Sequence, residues 1–233
     1  IDIGNDNIID IEKEKSKECY DLSKLDTSEI TNMSSIFRSS NFNGDVSNWN
    51  TSNVTDMKSM FFNTKEFNSS LNLWDVSKVT NMSEMFYFAK EFNSPLNSWD
   101  VSNVTDMFDM FCNAENFNQP LNKWKTFNVI DMGKMFNNAL NFNQDIGTWD
   151  VSKVTSISGI FEGTKMFSQN INSWSLDKIE YCEYMFFKAE AFQNKYNSGE
   201  TLPDYTEDIK LWLKKNSEKM KMIDVKDTHG KEI

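Results

Sequence analysis

Residues 67–91 read FNSSLNLWDVSKVTNMSEMFYFAKE, and the 25 residues that begin at Phe92 repeat this pattern with few changes. Phe and Trp return along the chain at steps of 25 residues without insertion or deletion: Phe42, Phe67, Phe92, Phe117, Phe142, Phe167 and Phe192, and Trp49, Trp74, Trp99, Trp124, Trp149 and Trp174. A fixed period of this length is typical of stacked repeats that contact only their neighbours. Six units therefore cover residues 42–191, the fourth of them beginning at Phe117, and residues 25–37 match the second half of a preceding unit.

The apolar residues of each unit follow two different spacings. Leu71-x-x-Trp74-x-Val76 places alternate residues on one side of a short extended segment, which predicts a strand. The following apolar residues come at steps of three, which favour a tight turn and then a helical or 3-10 turn. We therefore expect each coil to contain one short parallel strand and one short helical or 3-10 turn. The fold class predicted is an α/β repeat solenoid of about six to seven such coils with terminal caps.

The repeat resembles a known family. Residues 99–107, WDVSNVTDM, followed by Met110 and Phe111, are similar to the 25-residue repeat of BspA-like leucine-rich-repeat surface proteins, a repeat also found in mycoplasma lipoproteins. This resemblance implies a leucine-rich-repeat solenoid on a protein that is exposed at the cell surface or secreted. It further implies a role in adhesion or host interaction and no enzymatic activity. It does not imply a particular ligand.

The two ends of the chain differ from the repeats in composition. Residues 1–21 are charged and are predicted to form an N-terminal cap or linker, and the repeats fill residues 22–201. Residues 202–225 contain apolar side chains at helical spacing with Lys and Glu between them, which predicts an amphipathic helix that caps the last coil. Residues 226–233 are expected to form a tail.

The net charge of the chain limits the kinds of partner that it can bind. The 233 residues carry a net charge of −11, which argues against nucleic acid or an anionic membrane as the main partner. We expect an unidentified host protein or glycan instead. Residues 1–10 lack the features of a signal peptide, and no stretch of the chain is apolar enough for a membrane span. A lipid anchor upstream of these residues would attach the protein peripherally to a membrane.

Few side chains have the chemistry of a catalytic or metal site. His229 is the single histidine and lies near the chain end, so a Ser-His-Asp or Cys-His arrangement in a packed site is not expected. Cys112 shares its repeat position with variable residues, which predicts a half-exposed thiol, whereas Cys182 replaces a core Met. We expect no cofactor. A carboxylate pair such as Asp75 and Asp100 would supply only part of the six to eight oxygen ligands of Ca²⁺, so no metal site is predicted.

The candidate binding residues flank the inward residues of the predicted strand. In the fourth unit Lys123, Lys125 and Phe127 replace the small or acidic residues of the other units, and an exposed Phe between lysines is a plausible contact patch. Asp75, Asp100 and Asp150 occupy the same position as Lys125 in neighbouring units. Like charges in register would repel, so a purely structural interpretation is that Lys125 relieves the repulsion between Asp100 and Asp150.

Two functions are consistent with these patterns. The first is a non-catalytic binding or adhesion module on a bacterial cell surface, which presents the sheet face of the solenoid to a host protein or glycan. The second is a structural or antigenic spacer without a defined ligand, whose repeats are interchangeable. The fourth unit distinguishes them, because a binding module should be sensitive to substitution there and a spacer should not.

Overall fold

The computed structural model describes residues 22–229, with side chains to residue 224. A 3-10 helix, Leu22–Lys24, begins this part, and two α-helices end it, α1 at Glu190–Asn197 and α2 at Thr206–His229. Between these helices the 25-residue units lie on one another as coils. The predicted cap or linker at 1–21 and the last four residues of the predicted tail lie outside the described residues. Within the described part, no helix is long and apolar enough to span a membrane.

The predicted α/β solenoid of the leucine-rich-repeat type is wrong for this chain. Residues 22–229 contain no extended strand and no sheet, only isolated parallel β-bridges of one residue pair each between consecutive coils. The bridges join Asn32 to Asp56, Asp56 to Asn81, Asn81 to Asp106, Asp106 to Asp131, Asp131 to Ser156, and Ser156 to Tyr181. They lie after the segment that was predicted to be a strand.

Tight turns explain why that segment is not a strand. The backbone N–H of Trp74 donates to the carbonyl of Leu71 at 3.2 Å, which closes a turn. Immediately afterwards the Asp75 carboxylate accepts from the backbone N–H of Ser77 at 3.0 Å, which bends the chain again. The inward side chains are therefore brought to the core by successive turns, and the apparent alternation of Leu, Trp and Val has a different origin from a pleated strand.

The helical or 3-10 turn predicted in each coil is also absent. Two residues per coil, four positions apart, adopt the left-handed backbone conformation with φ between 52° and 69° and interrupt any helical turn. They are Ser35, Ser39, Ser59, Asn63, Glu84, Phe88, Asp109, Asn113, Lys134, Asn138, Gly159, Gly163, Tyr184 and Lys188. A residue with a Cβ atom loses about 1–2 kcal/mol in this conformation. The stack must therefore supply a compensating interaction at these positions.

Hydrogen bonds between coils supply that compensation. The backbone N–H of each left-handed residue from Ser35 to Gly163 donates to a carbonyl of the following coil at 2.6–2.9 Å, as Glu84 does to Phe108 at 2.8 Å. Other bonds run to the preceding coil, such as that from the N–H of Thr80 to the carbonyl of Thr55 at 2.9 Å. The turn conformation thus directs the N–H groups of these residues along the stack, where each is hydrogen-bonded to a carbonyl of the next coil.

Aromatic columns fill the core, and the predicted burial of the Trp column is confirmed. The six repeat tryptophans are 3–6% exposed, and neighbouring indoles are nearly parallel, as at Trp49 and Trp74 with 6.4 Å between ring centroids. Each indole Nε1–H also donates to a backbone carbonyl of the preceding coil at 2.9–3.1 Å, for example that of Trp99 to Leu71. The Trp column therefore packs and hydrogen-bonds in one direction along the stack.

The segment before α2 takes the place of a further coil. The carbonyl of Asp204 accepts from the left-handed Tyr184 at 2.8 Å, as the next coil does elsewhere. α2 lies where a capping helix was predicted, with Ile209, Leu213 and Met220 buried, and it extends four residues beyond the predicted cap. It therefore covers the last coil.

Asp224 holds α2 in place. Its carboxylate pairs with Lys195 of α1 at 2.7 Å, accepts from the Tyr196 hydroxyl at 2.8 Å, and contacts the side-chain amide of Asn170 in the last coil. Two of these three partners belong to α1, a helix that the sequence patterns did not predict. Burial of the Tyr196 hydroxyl raises its pKa, so this group remains a donor over the physiological range.

We predict that Trp99→Ala lowers the free energy of unfolding by about 3–5 kcal/mol, because it removes a buried ring and its hydrogen bond to Leu71. Urea denaturation at neutral pH measures this loss. Leu73→Ser is the control, since this side chain is 78% exposed, and its effect should stay within about 0.5 kcal/mol. Equal losses in the two variants would show that the Trp column does not carry the core.

Candidate binding surface

The outward side chains of the fourth coil form an exposed patch. Lys123, Lys125 and Phe127 are exposed, and the intervening Trp124 and Thr126 are buried. The sequence therefore predicted correctly which residues of this segment point inward and which point outward. Turns, and not a strand, produce this alternation.

A second exposed apolar residue of this segment, Ile130, was not predicted from the sequence. It is 49% exposed, and the equivalent positions of neighbouring coils hold threonine: Thr55, Thr80, Thr105 and Thr155. This break in a threonine column is the signal that could have identified it. Lys123, Lys125, Phe127 and Ile130 are together called the fourth-coil patch.

A local change of turn chemistry positions the patch. Coils with Asp at the position of Lys125 cap their turn with that carboxylate, whereas Lys125 has no acceptor to offer. The buried Thr126 hydroxyl donates to the backbone carbonyl of Asp150 at 2.9 Å, and Thr51 makes the equivalent bond in the first coil. The substitution of Asp by Lys therefore removes a turn cap, while the threonine bond to the next coil is shared with another coil.

The three aspartates of the predicted site have a structural role. Asp75, Asp100 and Asp150 are exposed, and one oxygen of each accepts from the backbone N–H of the serine two residues later at 2.9–3.1 Å. Hydrogen bonds from the serine side chain and then from its backbone hold the pKa of each carboxyl below the usual value. These groups are therefore charged turn caps at neutral pH.

Lys125 affects the pKa of one of its two acidic neighbours. Beside the stronger effect of the Ser102 hydrogen bonds, its charge contributes to the lowered pKa of Asp100, and the charge of Asp75 opposes it. The lowered pKa of Asp150 is attributed to its Ser152 hydrogen bonds and, more weakly, to Lys153. Lys125 therefore relieves charge repulsion at Asp100 but not at Asp150. This effect does not explain the presence of Phe127 or Ile130.

The Phe127 ring is partly exposed and lies between small side chains in its column. The Phe62 ring of the first coil is covered instead: the guanidinium of Arg38, in the incomplete unit before that coil, lies 3.6 Å from its centroid, and Tyr87 of the second coil stacks on it at 4.5 Å. Among the described residues Phe127 stacks on no other ring, and its column neighbours are the small Ser102 and Ser152. Its ring is 40% exposed, so it can pack against a partner.

Four carboxylates of the second, third and fourth coils influence one another: Glu84, Asp106, Asp109 and Asp131. Asp109 is left-handed and half-buried, and its Oδ1 is a buried oxygen without a hydrogen-bond partner. Burial, reinforced by the nearby charges of Glu84 and Asp131, raises the pKa of Asp109 to about 6. Burial likewise raises the pKa of Asp106. Within the described part of the chain no group of three or more candidate ligands could hold a metal ion.

The two described cysteines are buried and unpaired. The expectation that Cys112 is half exposed is wrong, because only 4% of it is accessible. It has neighbours in both adjacent coils: its thiol donates to the side-chain oxygen of Asn137, and, beside the larger effect of burial, its charge raises the pKa of Tyr87. Burial raises the pKa of both thiols, so neither is a thiolate at neutral pH.

Comparison with known proteins identifies one family. The family described as "Mycoplasma protein of unknown function, DUF285" matches residues 9–114 and, in a second overlapping match, residues 95–199. These two matches together span well over half of the chain. Curated proteins and solved structures give no match.

We predict that Asp109→Asn stabilises the protein at neutral pH but not in acid. Because folding raises the pKa of this carboxyl from 3.8 to about 6, its contribution to stability falls as the pH rises through that interval. Asn keeps the shape without the charge and should raise the free energy of unfolding by about 1 kcal/mol at pH 7.5, a value reduced for the remaining solvent contact.

Urea denaturation at about pH 4 and pH 7.5 measures the difference. Asp145→Asn is the matched control, because it removes the same charge from an exposed turn cap and should show no comparable gain. A gain from Asp109→Asn that is the same at both pH values would rule out ionisation as its cause.

Proposed function

The chain belongs to the DUF285 family, and we propose that it is a non-catalytic binding module displayed on a bacterial cell surface, whose fourth-coil patch contacts a host protein or glycan. The observation that carries the proposal is the exposure of Phe127 and Ile130 beside Lys123 and Lys125 in one coil, where the adjacent coils have serine and threonine in place of the two apolar residues. An exposed aromatic next to cations is the composition that protein interfaces favour.

The departure of the fourth coil is confined to its surface. Its core residues Leu121, Trp124, Val129, Met132 and Met135 are all buried, and the Trp124 indole makes the usual bond to the preceding coil at 2.9 Å. General decay of the repeat would affect the core as well. Selection for a contact at the surface accounts for both the changed outer residues and the unchanged inner ones.

The geometry favours a protein over a glycan as the partner. Glycan binding commonly uses the face of an aromatic ring, but the faces of the repeat tryptophans stack on one another inside the core. Phe127 offers a single ring, and the adjacent Ile130 adds apolar area without hydrogen-bonding groups. A partner with an apolar side chain and acidic groups would complement the patch.

The resemblance of residues 99–107 to the repeat of BspA-like surface proteins supports the proposed location and role. The leucine-rich-repeat fold implied by that resemblance does not apply here, so the support comes from the sequence motif alone. Surface exposure, secretion, lipid anchoring and adhesion are accordingly parts of the proposal. The absence of catalysis is proposed on the same motif and is consistent with the protonated, buried thiols.

The second candidate is a structural or antigenic spacer, and the regularity of the coils favours it. The indole hydrogen bonds differ by only about 0.2 Å along the stack, so each coil presents the same contact surfaces to the next. Units that match in this way can be gained or lost without a new interface. In a spacer the fourth-coil patch would have no partner.

We predict that Lys125→Asp combined with Phe127→Ser, which restores the residues of the neighbouring coils, weakens binding to cultured mammalian epithelial cells by about tenfold or more. Flow cytometry with fluorescently labelled protein measures it. The new carboxylate lies between Asp100 and Asp150, so stability should fall by only some tenths of a kcal/mol. Leu73→Ser is the control for loss of an exposed apolar side chain and should bind as the parent does.

The outcomes separate the two candidates. Saturable parent binding that the double variant loses supports the binding module. If the parent binds no more than background, or if the double variant binds as the parent does, the fourth-coil patch is not a contact site and the spacer is favoured.

A further inference from the structure

α2 carries a basic outer face that is opposite in sign to the chain as a whole. Residues 210–222 contain five Lys and one Glu, a net charge of about +4, which leaves about −15 on the rest of the chain. The outer face of α2 is defined here by its exposed residues from 211 to 222: Leu211, Lys214, Lys215, Glu218, Lys219, Lys221 and Met222. Glu207 and Asp208 in the first turn are exposed as well, so the exposed residues of α2 up to residue 222 carry a net charge of about +1 on a strongly acidic chain.

The order of residues around the helix gives this face a symmetrical arrangement. At 100° per residue Leu211 and Met222 lie within about 20° of each other, some 16 Å apart along the axis. Lys214 and Lys221 flank this line on one side, and Lys215 and Lys219 flank it on the other. Glu218 lies on the line, and Lys221 neutralises it at 2.9 Å.

The opposite side of α2 is fixed to the coils. Ile209, Leu213 and Met220 are buried against the core, and the side-chain amide of Asn172 in the last coil donates to the backbone carbonyl of Ser217 at 2.9 Å. The helix therefore does not rotate to bury Leu211 and Met222, which are 65% and 59% exposed. Its outer face is presented rigidly at one end of the stack.

We propose that the outer face of α2 docks on an anionic lipid surface, with the helix axis in the plane of the headgroups. Leu211 and Met222 enter the boundary between headgroups and acyl chains, and the four flanking lysines bind lipid phosphates while their aliphatic stems cover the rim. This contact lies on the membrane surface and involves no spanning segment.

Two observations favour lipid over an acidic protein. The large apolar residues form a line between two rows of lysine, which is the pattern of a helix that lies in a membrane interface. The remaining charge of about −15 is repelled by the same surface, so α2 is the part of the chain that can approach it. The coils would then extend away from the membrane, and the fourth-coil patch would stay accessible.

The expected attachment is reversible and sensitive to salt. Two apolar side chains provide little insertion, and each lysine near an anionic surface strengthens binding about fivefold at low ionic strength. Salt at about 500 mM screens charges within a few ångströms and should release the protein. This inference is independent of the proposed contact at the fourth coil, since the two surfaces share no residue.

The test is flotation of the full chain with vesicles of phosphatidylcholine alone or with about 30 mol% phosphatidylglycerol, at about 50 and 500 mM salt. We expect binding to the anionic vesicles at low salt only. Lys214→Gln with Lys215→Gln and Lys219→Gln should weaken that binding at least tenfold. Lys65→Gln with Lys165→Gln and Lys178→Gln changes the net charge equally at exposed sites and should leave it unchanged.

Leu211→Ser with Met222→Ser separates lipid from other anionic partners. These exposed substitutions should weaken vesicle binding severalfold while leaving any binding to poly-L-glutamate unchanged, and circular dichroism should show an intact fold. Failure of the parent to bind anionic vesicles overturns the proposal, as does an equal loss in the Lys65, Lys165 and Lys178 variant. Vesicle binding that the serine substitutions do not affect would show a purely electrostatic contact and would also overturn it.

Discussion

The hydrogen bond from each repeat tryptophan to the preceding coil is the constraint on which the rest of the stack depends. A buried indole N–H without an acceptor is costly, so each ring can enter the core only when a carbonyl of the neighbouring coil is in reach. In five coils that carbonyl lies 28 residues earlier, as from Trp99 to Leu71, and this fixes the length of the unit. The incomplete unit that precedes the first coil is one residue shorter, and the indole N–H of Trp49 donates to the carbonyl of Leu22, 27 residues earlier, at the same 2.9 Å.

The stacking of the coils stabilises left-handed residues in the backbone. Residues such as Glu84 and Asp109 tolerate positive φ because the conformation directs their N–H groups to carbonyls of the next coil. Since the core columns and the inter-coil bonds define the fold, the outward positions are free to vary. The fourth-coil patch and the outer face of α2 are two examples of exposed apolar side chains beside lysine on this acidic molecule.

Sequence patterns predicted which residues are buried but not how the chain brings them there. The period of 25 identified the Trp column and the exposed Lys125 and Phe127, and the helical spacing of residues 202–225 predicted a helix where α2 lies. The expected strand was wrong because the Asp75 turn cap was not recognised, and the expected helical turn was wrong because side chains such as Phe88 and Lys134 do not signal positive φ. Cys112 was misplaced because its burial depends on neighbours from adjacent coils, which a single column does not reveal. Ile130 was not predicted, although four other coils have threonine at the equivalent position and the difference is visible in the sequence.

Hydrogen exchange of the indole N–H groups, followed by NMR on ¹⁵N-labelled protein, tests the central constraint most directly. The account predicts that Trp49, Trp74, Trp99, Trp124, Trp149 and Trp174 exchange slowly, because their N–H groups are buried and bonded between coils. Trp212 should exchange faster, since its indole donates at 3.3 Å to a partly exposed Asn197 side chain. Exchange of the six repeat indoles as fast as that of Trp212 would contradict the account.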